Sequence, residues 1–486
     1  MERPSGLWGI AVPFSIRGGL KTPHTDRVRD LLQDLKSEGL FPQRERTPHS
    51  LVQRMNQLCT PGVSIALIED FDVAWAGGFG VQRRGKEKSV SADTLFQAAS
   101  VSKPVFALAV MRLAKSRKID IDVDVNRYLT TWRIPDSGEW SPRVTLRQLL
   151  SHTAGTTVHG FEGYPTTALR PTPNEILNGI PPANNLAIVV DAIPGLQARY
   201  SGGGTTIAQQ VVTDVSGQPL PELMRELVLD PLGMTRSTFE QPLPAWFAQY
   251  AAVAHSWNGE PVHGGWHVYP EMAAAGLWTT ARDLARLGVE LMRILRGDAS
   301  SLGLDRDAIS EMLRPQLPDQ RVGQEFWGLG WLCNGDGDAL GFGHGGRNNG
   351  YVSVITLLPT RGQGAVVLLN SNRGFPLRGE IVAAIGRQYG WPAVGKEQTI
   401  APMSSHVNYA GIYCDPLGFT FHVTQTEQGL LLKFGDQMAI FLRPIARMEF
   451  VAGALDFQVR FAASEDNSII SMTVIQGERV ITATRQ

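Results

Sequence analysis

The sequence predicts an α+β fold followed by a small antiparallel β-barrel. Three observations carry this. Strand-like runs come early, many helical runs fill the middle, and strands with one helix come late, so the sheet draws on distant segments. The texture changes near residue 391, where short strands separated by turn signals begin. At 486 residues the chain exceeds one ordinary core, so more than one domain is expected.

Composition narrows the function classes. Hydrophobic residues make up 43% and charged residues 19%, as in a soluble globular protein. A net charge of -1 leaves no basic footprint, which argues against nucleic acid as a partner. Cys59, Cys333 and Cys414 are far apart and odd in number, unlike a disulfide framework or a paired metal motif. The start, "MERPSGLWGIAVPFSIRGGLKTP", has a short apolar stretch broken by Pro13. It lacks an 18-residue apolar run and a clean signal layout, so a cytoplasmic location is expected, with a secreted or periplasmic one as the alternative if a leader has been removed.

Taken in order, residues 1–50 read as an extension with one short amphipathic helix, because Val28, Leu31, Leu32 and Leu35 share helical spacing. A second helix is expected from "TPHS", capped by Thr47 with Pro48 in its first turn. "GVSIALIEDFDVAWAGGFGV" reads as a β-hairpin. A helix follows Ser100, and "VTLRQLLSHTAG" is expected to be helical up to Gly155. Residues 156–192 hold several Pro and Gly with little periodicity and read as a long functional loop. "TTIAQQVVTDVSG", "LPELMRELVLDPLG" and "TTARDLARLGVELMRILRG" read as helices, the last capped by Thr280. "YVSVITLLPTRGQGAVVLLNSN" is a second hairpin and "GEIVAAIGRQYGW" a closing helix. The expected domains are therefore 51–390 and 405–486, joined by a linker at 391–404.

Three motifs carry chemistry. In "SVSK", Ser100 and Lys103 lie three residues apart, so on a helix the lysine reaches back over the serine. Pro104 lacks an N–H and is cheapest in a first turn, which puts the helix start, and an unpaired Ser100 N–H, at the positive helix end. A lysine buried there loses proton affinity and can serve as a base. The bland alternative is a capped helix with a solvated charge. In "ARYSGGGTT", Tyr200 could relay a proton to a leaving group, or could simply end a strand before a turn. In "GFGHGGRNNGYVS", Gly341, Gly343 and Gly346 match a dinucleotide fingerprint, but a strand follows instead of a helix, so that reading is rejected. An edge strand with Gly345 and Gly346 would let a substrate lie alongside and would offer an N–H to an oxyanion. "HGGWH" places His263 and His267 at zinc-like spacing, but its two glycines disfavour the helix this needs. His152 in "LLSHTAG" reads as structural, and no G-x-S-x-G elbow occurs.

In this order, "SVSK", "YSG" and "HGG" resemble the serine β-lactamase-like, penicillin-recognising hydrolases, closest to class C β-lactamases and their esterase and D-aminopeptidase relatives. "TLFQAASVSKPV", "LRQLLSHTAG", "DPLGMTRSTF", "AAGLWTTARDLARL" and "GHGGRNNGYVS" extend the likeness over about residues 50–390. The resemblance implies a helical subdomain on a helix-flanked antiparallel sheet, with a lipocalin-like barrel appended. It implies Ser100 as the acylated nucleophile, Lys103 as its base and Tyr200 as the proton shuttle. His344, Gly345 and Gly346 would stand where the family has K-T-G or H-x-G. The N–H groups of Ser100 and Arg347 would form the oxyanion hole.

Two departures shape the expected substrate. Gly202 replaces the Asn of Y-x-N, which weakens amide recognition, and His344 replaces a carboxylate-binding Lys. Both lean away from an efficient β-lactamase and towards an esterase, or an amidase or D-aminopeptidase, with weak β-lactamase activity at most. The expected activity is hydrolysis of a small ester or amide. Acyl transfer or peptide cyclisation through the same serine, and a non-catalytic sensor on this scaffold, are the alternatives. No cofactor and no metal are implied, no membrane span is expected, and a homo-oligomer stays open.

Overall fold

The structure is a computed structural model that describes residues 27–28, 30–33, 35, 49–136, 138, 140–317, 325–392 and 407–486, apart from some turn residues of the last stretch. Among these, one compact unit holds 27–28 and 55–374, and a second holds the rest of the described chain. Thr47, Pro48, Pro13 and most of the expected linker lie outside the described residues.

The first unit is built on a seven-stranded sheet. Its strands are β1 (Gly62–Glu69), β2 (Asp72–Gly80), β3 (Phe326–Trp327), β4 (Leu332–Asn334), β5 (Gly341–Asn348), β6 (Tyr351–Leu358) and β7 (Gln363–Leu369). The order is β2-β1-β7-β6-β5-β4-β3, and each pairing is antiparallel. Both expected hairpins are present, and the chain ends meet where β1 pairs with β7. β1 and β7 are apolar at nearly every position because both faces of the central sheet are covered. On one face lies a long helix, Ala281–Arg296, which starts at Thr280 and stops at the left-handed Gly297, as expected. It comes close to the sheet through Gly288, where a Cβ would lie 2.6 Å from Leu357 Cδ2.

Apart from the short helical turn Ala245–Ala248, the other helices label in chain order as α1 (Leu51–Gln57), α2 (Ser102–Lys115), α3 (Leu146–Leu150), α4 (Pro173–Asn178), α5 (Gly202–Ser216), α6 (Leu220–Met224), α7 (Met272–Ala275), with Ala281–Arg296 as α8, Arg306–Met312 as α9 and Phe375–Tyr389 as α10. α2 is the hub: Val105 to Val110 are all fully buried, so this helix is apolar all round.

Several expectations are corrected. α1 starts under Ser50, which accepts from Gln53 N–H while its own N–H donates to Gln53, a capping box. α3 stops at Leu150, five residues before Gly155, because His152 turns left-handed at φ 60°. The 156–192 stretch is not structureless. It carries α4, whose start is a Thr172–Glu175 capping box, and a short ladder between Tyr164–Pro165 and His267–Val268. α5 starts three residues early and takes in all three glycines. α6 continues as a π-helical turn over Arg225–Leu229.

The C-terminal strands close into an eight-stranded antiparallel barrel, β8 (Gly411–Cys414) to β15 (Arg479–Arg485). Seven strands are legible in the sequence; the eighth, Glu449–Ala452, is short and follows a tight turn. Closure through Tyr413 opposite Arg485 leaves no open edge. Tyr409, Phe450 and Phe461 fill the interior, with ring centroids 4.9 to 5.6 Å apart.

Candidate active site

The site starts where the chain enters α2. Phe96–Gln97 pairs with Trp278–Thr279, and Ala98 N–H donates to Leu277 O at 2.8 Å. Ala99 then takes φ 51°, a left-handed backbone that costs a non-glycine residue about 1 kcal/mol or more. This reversal sets a 3₁₀ turn over Ala99–Val101 before α2 begins at Ser102. Pro104 thus stands in the first turn of α2, and Ser100 lies in the 3₁₀ turn that leads into it, where Val101 N–H and Ser102 N–H already donate to Ala98 O and Ala99 O. Buried Ser102 pins the turn, donating to Ala99 O at 2.5 Å and accepting from Leu277 N–H at 3.0 Å.

Lys103 is buried, with 4% of its surface exposed. Its Nζ lies 3.1 Å from Ser100 Oγ and donates to Ala274 O, on α7, at 2.9 Å. Burial lowers its pKa to about 7. Tyr200 sits just before Ser201, which caps α5 by accepting from Gly204 N–H and is anchored by donating to Thr157 O at 2.6 Å. The Tyr200 hydroxyl hydrogen-bonds Ser100, its ring lies 4.9 Å from Lys103 Nζ, and desolvation raises its pKa. Rings of His152, His159, Trp327 and His344 surround it at 4.3, 4.9, 5.3 and 6.1 Å.

β5 forms the opposite wall. β4 pairs only with Gly341 to Gly343, so residues from His344 on form an open strand edge. Gly346 backs onto the Ser100 turn: a Cβ there would lie 2.3 Å from Ala98 O and 3.1 Å from Ala99 Cβ. Ser353, opposite Gly346, donates to Ala98 O at 2.6 Å. His344 is buried at 4% exposure, whereas Arg347 is exposed, with its guanidinium 5.0 Å from the Trp257 ring. Gly202 opens α5 and donates to His159 O at 3.0 Å. A Cβ on it would meet Phe161 at 3.1 Å and His159 O at 3.2 Å, so Phe161 occupies the direction a larger side chain would take. His267 pairs with Glu162 O at 3.0 Å through Nδ1, and no cluster of three metal-ligating groups occurs among the described residues.

The structure thus brings Ser100, Lys103 and Tyr200 together and sets the 344–347 strand beside them. It adds residues the motifs missed. Asn348 is buried and donates to Gln97 Oε1 at 2.8 Å and to Ala275 O at 3.0 Å, tying β5 to α7. Trp327 supplies a wall. Ser102 alone had a signal, a hydroxyl in an otherwise apolar helical run.

Lys103 gives a pH prediction. A base must be neutral, so kcat/KM for an ester is expected to rise with pH through about 7 and then level off. A profile without that rise would contradict the assignment. The unfolded chain holds the Lys103 proton up to about 10.5, so this group's contribution to stability grows between pH 7 and 10.5.

Glu271 gives a second. It precedes α7, is fully buried, and neither carboxylate oxygen has a hydrogen-bond partner. Burial raises its pKa to about 8. The unfolded chain releases this proton from 4.5 upward while the fold retains it, so stability is lost as pH rises from 4.5 to 8. Glu271→Gln, which mimics the protonated acid, is expected to melt close to wild type below pH 4.5 and above it at pH 8. A melting difference independent of pH would refute this.

Fold and site together define the architecture of the serine β-lactamase-like superfamily. The sequence pattern of the beta-lactamase family matches residues 49–387, and the chain belongs to that family. It is 28% identical over 330 residues to penicillin-binding protein 4 of Amycolatopsis lactamdurans, covering 65% of this chain and 81% of that one. It is 32% identical over 191 residues to esterase EstB of Burkholderia gladioli, covering 38% and 47%. Among solved structures, the octameric penicillin-binding protein homologue from Pyrococcus abyssi superposes with a TM-score of 0.60 at 22% identity, over 89% of this chain and 98% of that one. The D-alanine carboxypeptidase AmpC of Burkholderia cenocepacia gives 0.58 at 20%, over 75% and 99%. These relatives support a serine hydrolase in general terms. No helix among the described residues is long and apolar enough to cross a membrane.

Proposed function

We propose that this protein is a serine hydrolase that cleaves a small ester, or with more difficulty an amide, through an acyl-enzyme on Ser100. The observation that carries this is the buried Lys103 amine 3.1 Å from Ser100 Oγ. Neutral Lys103 takes the hydroxyl proton as Oγ attacks the carbonyl carbon. The oxyanion is received by the N–H groups of Ser100 and Arg347. Tyr200, kept protonated by desolvation, gives its proton to the leaving group and regains one from Lys103. Water then adds to the acyl carbon and releases Ser100.

The ester preference rests on two positions. Phe161 stands where an amide-binding side chain would extend from residue 202, and His344 replaces a fixed cation. One relative is an esterase by name, and others are named for penicillin binding or D-alanine carboxypeptidase activity. Transfer of the acyl group to an amine or alcohol is the second reading, since the same intermediate serves both. Self-association is part of the proposal, in keeping with the octameric relative, and light scattering reads it.

The test is turnover of p-nitrophenyl esters, D-amino-acid anilides and nitrocefin, with and without amine acceptors, and mass spectrometry of the trapped adduct. Ester turnover with an acyl group on Ser100 is expected. Absence of any adduct on Ser100 sinks the reading, and acceptor products in place of acid favour transfer.

A further inference from the structure

One residue set aside as structural in the sequence has an unusual set of contacts. His152 is 2% exposed and sits at φ 60° in the turn after α3. Its carbonyl accepts Arg199 N–H at 2.7 Å, and its Nδ1 accepts Ser201 N–H at 3.2 Å. The two bonds bracket Tyr200 on both sides. Between them, the imidazole lies 4.3 Å from the Tyr200 ring, and Trp327 meets the imidazole edge-on at 4.8 Å. The same two segments are joined further out by Gly195 N–H to Thr153 O at 2.7 Å and by Arg199 Nη2 to Gly155 O at 2.6 Å. An acceptor at Nδ1 requires the neutral tautomer protonated on Nε2, and that buried Nε2 has no hydrogen-bond partner.

We infer that His152 is a positioning residue, which as a neutral imidazole holds the Tyr200 hydroxyl in line with Ser100 and Lys103. The inference rests on the reading of Tyr200 as proton donor to the leaving group. Its chemistry is simple. A protonated imidazole would present an Nδ1–H to the Ser201 N–H, donor against donor, and would release one side of the Tyr200 segment. The groups around the ring oppose that protonation. Burial acts first, followed by Lys103 from α2, His344 from β5 and His159 from the segment before α5, and together they hold the His152 pKa well below its ordinary value. Tyr200, the remaining titratable neighbour, stays neutral. His152 therefore keeps its acceptor throughout the range in which Lys103 titrates.

The experiment separates the acceptor from the ring. His152→Phe keeps an aromatic ring and removes the acceptor. His152→Asn offers its amide oxygen to Ser201 and suits the left-handed backbone. Each is made alone and with Tyr200→Phe, and kcat and KM are measured on p-nitrophenyl acetate. His152→Phe is expected to lower kcat on the order of 100-fold with KM within about twofold, since a misplaced proton donor slows chemistry more than binding. His152→Asn is expected to recover at least about tenfold of that loss. In the Tyr200→Phe background, His152→Phe should add no more than about a twofold change, because both act through one hydroxyl.

A near-wild-type kcat in His152→Phe overturns the inference. So does full additivity with Tyr200→Phe, or an Asn variant no better than Phe. If the Phe variant does not fold, His152→Ala replaces it; if neither acceptor-free variant folds while Asn does, the role is structural and the inference fails. Wild-type turnover in Tyr200→Phe alone would instead refute the reading of Tyr200, so the two failures are distinct.

Discussion

Ser100→Ala is expected to lower kcat/KM on a p-nitrophenyl ester by on the order of 10⁴–10⁶ and to abolish covalent labelling by an acylating probe. The serine supplies the only atom that becomes acylated in the proposed reaction, so no neighbour can replace it. Lys103→Met should have an effect of similar size on acylation. Methionine fills much of the same buried volume, so the fold is retained, but it cannot take the Ser100 proton. The two losses should not add, because Ser100 and Lys103 act as one unit. Measured kcat/KM in the single and double variants checks this. Substantial turnover in Ser100→Ala would rule out the mechanism outright.

Gly346→Ala should be the most damaging change that leaves every reactive side chain in place. A methyl group there would lie 2.3 Å from both Ala98 O and Ser353 Oγ, and 3.1 Å from Ala99 Cβ. Ser353 could rotate, but Ala98 O is backbone and already accepts from Ser353 and from Val101 N–H. The strand must back away from the strained Ala98–Ala99 turn, which moves Ser100 relative to the β5 edge. A loss of on the order of 100-fold in kcat is expected from such a displacement, with about 1–3 kcal/mol of stability lost to overpacking. Gly379→Ala, with no atom near its Cβ position, is the matched control: it should leave kcat unchanged and, inside α10, raise stability by about 0.5–1 kcal/mol. Wild-type kcat in Gly346→Ala would show that this close approach is not what sets the nucleophile.

Much of the fold was legible because its signals are local. Thr280 and Gly297 bound α8 by cap chemistry alone, and both sheet hairpins follow from apolar runs flanking a turn. The misreadings were also local rules overruled by distant contacts. α3 ends early because His152 bonds to the Tyr200 segment about fifty residues on. α5 accepts three glycines in its first turn because neighbouring chain crowds them: Cβ atoms on Gly203 and Gly204 would lie 2.6 Å from Thr157 O and 2.7 Å from Thr156 Oγ1. No periodicity in 202–204 announces that crowding. The unread barrel strand, Glu449–Ala452, follows a turn at Arg447–Met448 that has no Gly, Pro, Asn or Asp to announce it.

The sequence by itself determined the family, the order of elements and the Ser100–Lys103 pair, since spacing along one turn fixes which side chains can meet. Tertiary structure decided what that pair is able to do. Lys103 has a lowered proton affinity only because the packing around α2 takes its amine out of water, while the hydrogen bond to Ala274 O aims the amine at Ser100. Tyr200 reaches Ser100 only because His152 and Ser201 fix its backbone from another part of the chain. Desolvation and convergence depend on what packs around a residue, and neither is encoded in its immediate neighbours.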